Sequence, residues 1–123
     1  MSRLFVEFFV DDLPRSRDFY TRAIGMTVVR EESDHIILRL GEAQLHLGLF
    51  AHLKPDHYLR SPGRLGTRVE VCLEVDDLQA SLDRLEAAGE SALEPITARP
   101  WGTRDFRVID PDGAYLRITT PQD

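Results

Sequence analysis

The sequence contains a single cysteine, Cys72, and has no Cys and His residues spaced as in structural zinc sites. An internal disulfide is therefore excluded, and a reducing, cytoplasmic compartment is expected. The apolar run at residues 4–10 is too short for a membrane span and is interrupted by Glu7, so a membrane is not expected as a partner. Basic residues are fewer than acidic ones, with 15 Lys and Arg against 21 Asp and Glu, and no segment of the sequence is rich in basic residues. Nucleic acid is not expected either.

Catalytic signatures are also missing. The sequence has no GxSxG, P-loop or GxGxxG motif, which leaves acyl transfer, nucleotide hydrolysis and dinucleotide binding without support. We therefore assign no catalytic residue. The 123 residues, 42% hydrophobic and 29% charged, have the composition of one ordinary folded domain.

The motif VDDLxxSxD occurs twice, beginning at Val10 and at Val75, so the two copies are 65 positions apart. Each copy follows an alternating, strand-like run, residues 4–10 and 69–75. Each is followed by apolar residues at helical spacing, with an aspartate as the predicted N-cap. Gly25 and Gly89 are the predicted left-handed stops of the two helices.

Three more strands are predicted after each helix, so that each half is a βαβββ unit. In the first half they are residues 26–30, 35–40 and 43–50, and in the second half residues 93–97, 106–109 and 114–119. The chain is then one domain made of a first module (1–50), a connecting loop (51–68) and a second module (69–123).

The strings DLPRSRDFYTRAIGM, at 12–26, and RPWGTRDFRVIDPDGAYLRIT, at 99–119, resemble the vicinal oxygen chelate superfamily, which contains glyoxalases, bleomycin resistance proteins and ring-cleaving dioxygenases. The bleomycin resistance branch is the most similar. The resemblance implies an α+β fold in which tandem βαβββ modules form curved mixed sheets around a cup.

The resemblance also implies where a divalent metal would bind. The positions that carry ligands in the enzymes of the superfamily fall on Phe5, His46, Glu70 and Arg117. Phenylalanine has no lone pair and arginine stays protonated, so only His46 and Glu70 can ligate a cation. Because a catalytic site normally keeps three protein ligands, no metal cofactor is expected. If a metal does bind, His46 and Glu70 are its predicted ligands, with Glu7, water or substrate completing the site.

Without a metal, the cup is predicted to be a binding groove. Strand alternation and the geometry of the superfamily place aromatic rings and carboxylates on its lining, a combination suited to a flat or cationic organic molecule. The predicted ligand-binding residues are Phe5, Glu7, Phe9, His46, Phe50, Glu70, Glu74, Trp101, Tyr115 and Arg117. The expected function is sequestration of a cationic or aromatic drug-like ligand, as in antibiotic resistance, by a homodimer.

Plainer interpretations of these residues stay open. Trp101 is equally compatible with a packing role, and His46 with a hydrogen-bonded interior position or a pair with Glu70. The glutamates could pair with arginines, and Arg117 could instead hold an anionic group.

The other histidines, His35, His52 and His57, are predicted to be solvated residues of turns or of the connecting loop. The alternative function is a metal-dependent lyase, isomerase or transferase of the glyoxalase type, with a divergent metal site and Glu70 as a possible proton carrier.

Overall fold

Two βαβββ halves follow one another in the computed structural model, which describes residues 2–61 and 68–121. The first half consists of β1 (Val6–Val10), α1 (Leu13–Asp18), a π-helical turn (Phe19–Ile24), β2 (Thr27–Glu31), β3 (His35–Leu40) and β4 (Ala43–Leu49). The second half consists of β5 (Val71–Glu74), α2 (Leu78–Ala87), β6 (Thr97–Ala98), β7 (Arg104–Ile109) and β8 (Tyr115–Thr119). Short 3₁₀ turns, Phe50–His52 and Tyr58–Arg60, lie between the halves. Part of the predicted connecting loop, residues 62–67, lies outside the described residues.

The two sheets have the same topology. Their strand orders are β1-β4-β3-β2 and β5-β8-β7-β6. In each sheet the first and last strands of the half pair in parallel, and the remaining pairs are antiparallel. The register places Glu7 opposite His46 and Cys72 opposite Arg117. The predicted α+β fold with mixed sheets is confirmed.

The predicted aspartate caps and left-handed glycines are present, although α1 ends at Asp18 and a π-helical turn continues to Ile24. The carboxylates of Asp12 and Asp77 each accept a hydrogen bond of 3.0 Å from the backbone N–H three residues later, and each such cap stabilises its helix by about 1 kcal/mol. Gly25 follows the π-helical turn at φ 93°, and Gly89 follows α2 at φ 86°. Among the described residues, no helix combines the length and the apolar character that crossing a bilayer requires.

The halves share one apolar core on the helix side of both sheets. α2 packs against the π-helical turn of the first half, and the core extends from Val10 and Leu47 in one half to Leu85 and Phe106 in the other. A buried hydrogen bond of 2.6 Å from the Tyr20 hydroxyl to Asp110 Oδ2 joins the halves. Their association therefore depends on both apolar burial and a specific polar contact.

Several strand predictions were wrong in their bounds. β6 covers only Thr97–Ala98 instead of 93–97, because Pro95 has no backbone N–H to donate to a ladder. β4 ends at Leu49, and Phe50 begins a 3₁₀ turn. β5 begins at Val71, so Val69, the first residue of the predicted run 69–75, lies before the strand and is 56% exposed.

Candidate functional site

Phe5 and His46 are in direct contact on the face of the first sheet opposite the helices. Their rings stack with centroids 4.1 Å apart and an angle of 19° between the planes. Phe5 is 49% exposed, whereas His46 is buried. Phe5 therefore covers the imidazole and presents its other side to solvent.

The imidazole of His46 has two hydrogen-bonding partners. Its Nε2 lies 2.8 Å from Gln44 Nε2, and its Nδ1 lies 3.3 Å from His35 Nε2. Burial lowers the pKa of His46, and the neighbouring His35 lowers it further, while Glu7 acts in the opposite direction. His46 is consequently a neutral imidazole at neutral pH, and the amide nitrogen of Gln44 makes Nε2 the accepting ring nitrogen.

Glu70 lies on the equivalent face of the second half, and two guanidinium groups neutralise its charge. Its Oε2 accepts a hydrogen bond of 3.1 Å from Arg107 Nε, and its Oε1 lies 3.5 Å from Arg117 Nε. Arg117 also donates to Cys72 Sγ at 3.1 Å, and this hydrogen bond raises the pKa of Arg117. Glu70 is therefore paired with arginines, which was one of the alternatives that the sequence left open.

The charged cluster continues away from Glu70. Arg107 lies 3.5 Å from Glu94, Glu94 pairs with Arg99, and Arg99 donates two hydrogen bonds to the buried Oδ1 of Asp105. The hydrogen bonds to Asp105 and then to Glu94 raise the pKa of Arg99. This face of the second sheet therefore carries a continuous network of ion pairs between arginines and carboxylates.

The four family metal positions do not fit a metal ion in this structure. The ring of Phe5 occupies the space in front of His46, and the Arg117 guanidinium lies beside Glu70. A cation placed there would meet a cationic group and a ring without a σ lone pair. No reaction step can be derived through a metal at Phe5, His46, Glu70 and Arg117.

The remaining predicted site residues are not all available to a ligand. The ring of Phe50 is covered by Arg60, whose guanidinium carbon lies 4.9 Å from the ring centroid. Phe9 lies near His57, with 6.4 Å between ring centroids. Trp101 and Tyr115 are 58% and 37% exposed, so neither is buried in the core.

A cavity of about 190 Å³ lies where the first strands of the two halves approach each other. Its wall contains Phe5 and Val6 from the first half and Val71 and Cys72 from the second. The other lining residues are Leu4, Phe8, Tyr20, Ile24, Met26, Ala43, Gln44, Leu45, Leu73, Leu116 and Ile118. Among the ten predicted ligand-binding residues, Phe5 alone lines this mainly apolar cavity, and the other nine lie outside its wall.

Sequence reasoning missed three residues of the site. His35 was correctly predicted to begin a strand, but the expectation that it is a solvated turn residue was wrong, because its ring contacts His46. Gln44 fell within the predicted strand 43–50 and was given no role, and Arg107 was not considered. The alternation of β4 places Gln44 on the side of His46, which was the available signal. The pairing of Arg107 with Glu70 spans 37 positions and had no sequence signal.

Residues 4–118 match the family described as Glyoxalase/Bleomycin resistance protein/Dioxygenase superfamily. A probable lactoylglutathione lyase of Vibrio cholerae is 27% identical over 114 residues, which cover 89% of this chain and 83% of that protein.

Solved structures with a similar fold include a glyoxalase-related enzyme from Fulvimarina pelagi, with 25% identity, a TM-score of 0.75 and coverage of 98% and 89% of the two chains. A bleomycin-binding protein complexed with bleomycin has 22% identity, a TM-score of 0.70 and coverage of 99% and 100%.

Proposed function

We propose that this chain, which belongs to the Glyoxalase/Bleomycin resistance protein/Dioxygenase superfamily, binds a small organic molecule with a flat or cationic part and needs no metal at the four family positions to do so. The apolar cavity of about 190 Å³ between the halves carries this proposal. An apolar cavity of about 150 Å³ is large enough for one benzene ring. A flat apolar group can therefore enter it beside Phe5.

The charge next to Phe5 favours a cationic part over an anionic one. Glu7, two residues after Phe5, is half-buried and lies 3.7 Å from His35. Arg117 already interacts with Glu70 and Cys72, so it is not available to hold an anion. The formal net charge of −6 acts in the same direction. Sequestration of a cationic drug here would lower its free concentration, which is a route to antibiotic resistance.

Isothermal titration calorimetry provides a direct assay, since Trp101 is 58% exposed and does not line the cavity. We expect saturable heat on titration with bleomycin in EDTA, bleomycin being the ligand bound by the fold neighbour. Phe5→Ala should weaken binding about tenfold, because loss of an aromatic contact costs about 1.4 kcal/mol.

Val29→Ala is the matched control, since Val29 is 53% exposed on β2, at the other edge of the first sheet. Its affinity for bleomycin should equal that of the wild type. The proposal fails if neither bleomycin nor smaller cationic aromatic dyes give saturation, or if Phe5→Ala binds them as tightly as Val29→Ala does.

We further propose that the protein is a homodimer. Leu4 and Val69 precede the first strand of each half, at positions 65 apart, and are 91% and 56% exposed. Apolar side chains exposed at equivalent places are suited to burial against a second copy.

A second candidate function is a metal-dependent lyase, isomerase or transferase. It is favoured by the 27% identity to a probable lactoylglutathione lyase, while the four family metal positions oppose it. Conversion of lactoylglutathione that depends on added Zn²⁺ or Ni²⁺ would favour this candidate, and binding of organic ligands in EDTA without such turnover would favour the first.

A further inference from the structure

Two histidines and one glutamate converge on the first sheet, on three neighbouring strands. β4 lies between β1 and β3. Glu7 on β1 lies opposite His46, and His35 on β3 lies opposite Gly48. His46 Nδ1 is 3.3 Å from His35 Nε2, which is 3.7 Å from Glu7 Oε2, and one ligand atom from each residue lies within 4.8 Å of the others.

We propose that Glu7, His35 and His46 form a binding site for one divalent transition-metal ion, with Zn²⁺ as the best match. Zinc is bound tetrahedrally at about 2.0–2.1 Å, which places its ligand atoms about 3.3–3.4 Å apart. The separations of 3.3 and 3.7 Å are already close to this value. Two imidazoles and one carboxylate are a donor set that suits zinc and leaves its fourth position for water.

The site also has the freedom to close around an ion. The side chains of His35 and Glu7 are 30% and 31% exposed, so they can shift by a few tenths of an ångström without disturbing the core. The glycine at position 48 leaves room for the carboxylate of Glu7, because a Cβ at position 48 would lie only 2.7 Å from Glu7 Oε2.

Gln44 holds the ring of His46 in position. Its amide contacts His46 Nε2 at 2.8 Å, and its Oε1 accepts a hydrogen bond of 2.8 Å from Arg3. A metal on Nδ1 requires the ring proton on Nε2, whereas the Gln44 amide nitrogen now faces Nε2 and the amide oxygen accepts from Arg3 and Arg39. Metal binding therefore requires the Gln44 amide to turn and to give up these two hydrogen bonds. Such outer contacts fix ring orientation and tune metal affinity by about 10–100-fold.

The proposed site differs from the family metal positions. It shares His46 with them but uses residues of the first half alone, and it does not involve Glu70, which is paired with Arg107 and Arg117. It therefore goes beyond the proposed binding of an organic molecule and does not depend on it, since the ligand assay is performed in EDTA.

Titration of the metal-stripped protein with Co²⁺ tests the site, because Co²⁺ replaces zinc and its visible absorption reports tetrahedral coordination. We expect one Co²⁺ per chain with an intense tetrahedral spectrum, displaced by Zn²⁺. Saturable binding should be lost in His35→Ala and in Glu7→Gln. Both residues are partly exposed, so circular dichroism and the melting temperature without metal should show that these variants remain folded.

Three control variants identify the ligands. Glu70→Gln should retain the spectrum, which separates this site from the family positions. Cys72→Ser should retain it, which excludes the single thiol. His52→Ala removes a histidine that is near Asp34 and should also leave binding unchanged. The inference is overturned if the protein gives no tetrahedral spectrum, or if binding survives His35→Ala but is lost in Glu70→Gln or Cys72→Ser.

Gln44→Glu tests the site with a variant that is expected to bind the metal ion more tightly than the wild type. A carboxylate at position 44 has one oxygen to accept a hydrogen bond from His46 Nε2–H and a second oxygen to accept from Arg3. Because both contacts can then be kept when a metal is on Nδ1, Co²⁺ should bind about tenfold more tightly. A merely structural role of Gln44 would not raise metal affinity, and unchanged or weaker binding in Gln44→Glu would contradict the assigned role.

Discussion

Replacement of Tyr20 by phenylalanine should destabilise the contact between the halves. The Tyr20 hydroxyl donates a hydrogen bond of 2.6 Å to Asp110 Oδ2, and the two residues are 2% and 4% exposed. Asp110 keeps hydrogen bonds from the N–H groups of Asp112 and Ala114, but these are accepted by its other oxygen. Tyr20→Phe therefore leaves one carboxylate oxygen buried and without a donor, at a cost of about 2 kcal/mol.

Urea denaturation measures this cost. With a slope of about 2 kcal/mol per molar urea, the midpoint should fall by about 1 M while the slope stays the same. Tyr115→Phe is the matched control, because Tyr115 is 37% exposed, and it should change the free energy of unfolding by less than about 0.5 kcal/mol. Equal midpoints for Tyr20→Phe and Tyr115→Phe would refute the reasoning.

The pH dependence gives an independent check. Burial, and then the charge of Asp110, raise the pKa of Tyr20 above its ordinary value. Because the pKa is higher in the folded state, the stability due to the phenol is complete below pH of about 10 and is lost as the pH rises above it. Above pH 10 the wild type should lose about 1.4 kcal/mol per pH unit more than Tyr20→Phe does. Parallel alkaline profiles would contradict the assigned burial.

Two further predictions concern backbone shape and assembly. Gly25→Ala and Gly113→Ala should each destabilise the protein by about 1–2 kcal/mol, because both glycines have φ 93° and the atoms nearest a Cβ at position 25 belong to the flexible side chain of Arg84. An unchanged midpoint in urea for either variant would contradict this. In light scattering, the wild type should have twice the 14.0 kDa mass of one chain. Leu4→Asp should shift it to the monomer, whereas Leu93→Asp, also at an exposed leucine, should not; a monomeric wild type would contradict the proposed dimer.

The repeat and the local features of each half could be predicted from the sequence. The 65-residue spacing, the aspartate caps and the left-handed glycines depend on neighbouring residues, and all of them are present in the structure. Alternation also placed Glu7 and His46 on one face correctly, since their strands pair in register.

The partners of the charged residues could not be predicted in the same way. Glu70 is neutralised by Arg107 and Arg117, and these contacts depend on the register between β7 and β8 and on side-chain direction. The solvated environment expected for His35 was wrong because a strand end and a turn have the same local signals. Contacts of this kind are set by tertiary packing, which overrides local preference.

The shortness of β6 has a consequence for solubility. Strands at the margin of a sheet expose unpaired amides and carbonyls, which can recruit strands from other molecules. With only Thr97 and Ala98 in ladder geometry, next to a proline at position 95, the outer margin of the second sheet offers too little regular backbone for intermolecular growth. The same proline that shortens the strand thus protects the chain from aggregation along that side.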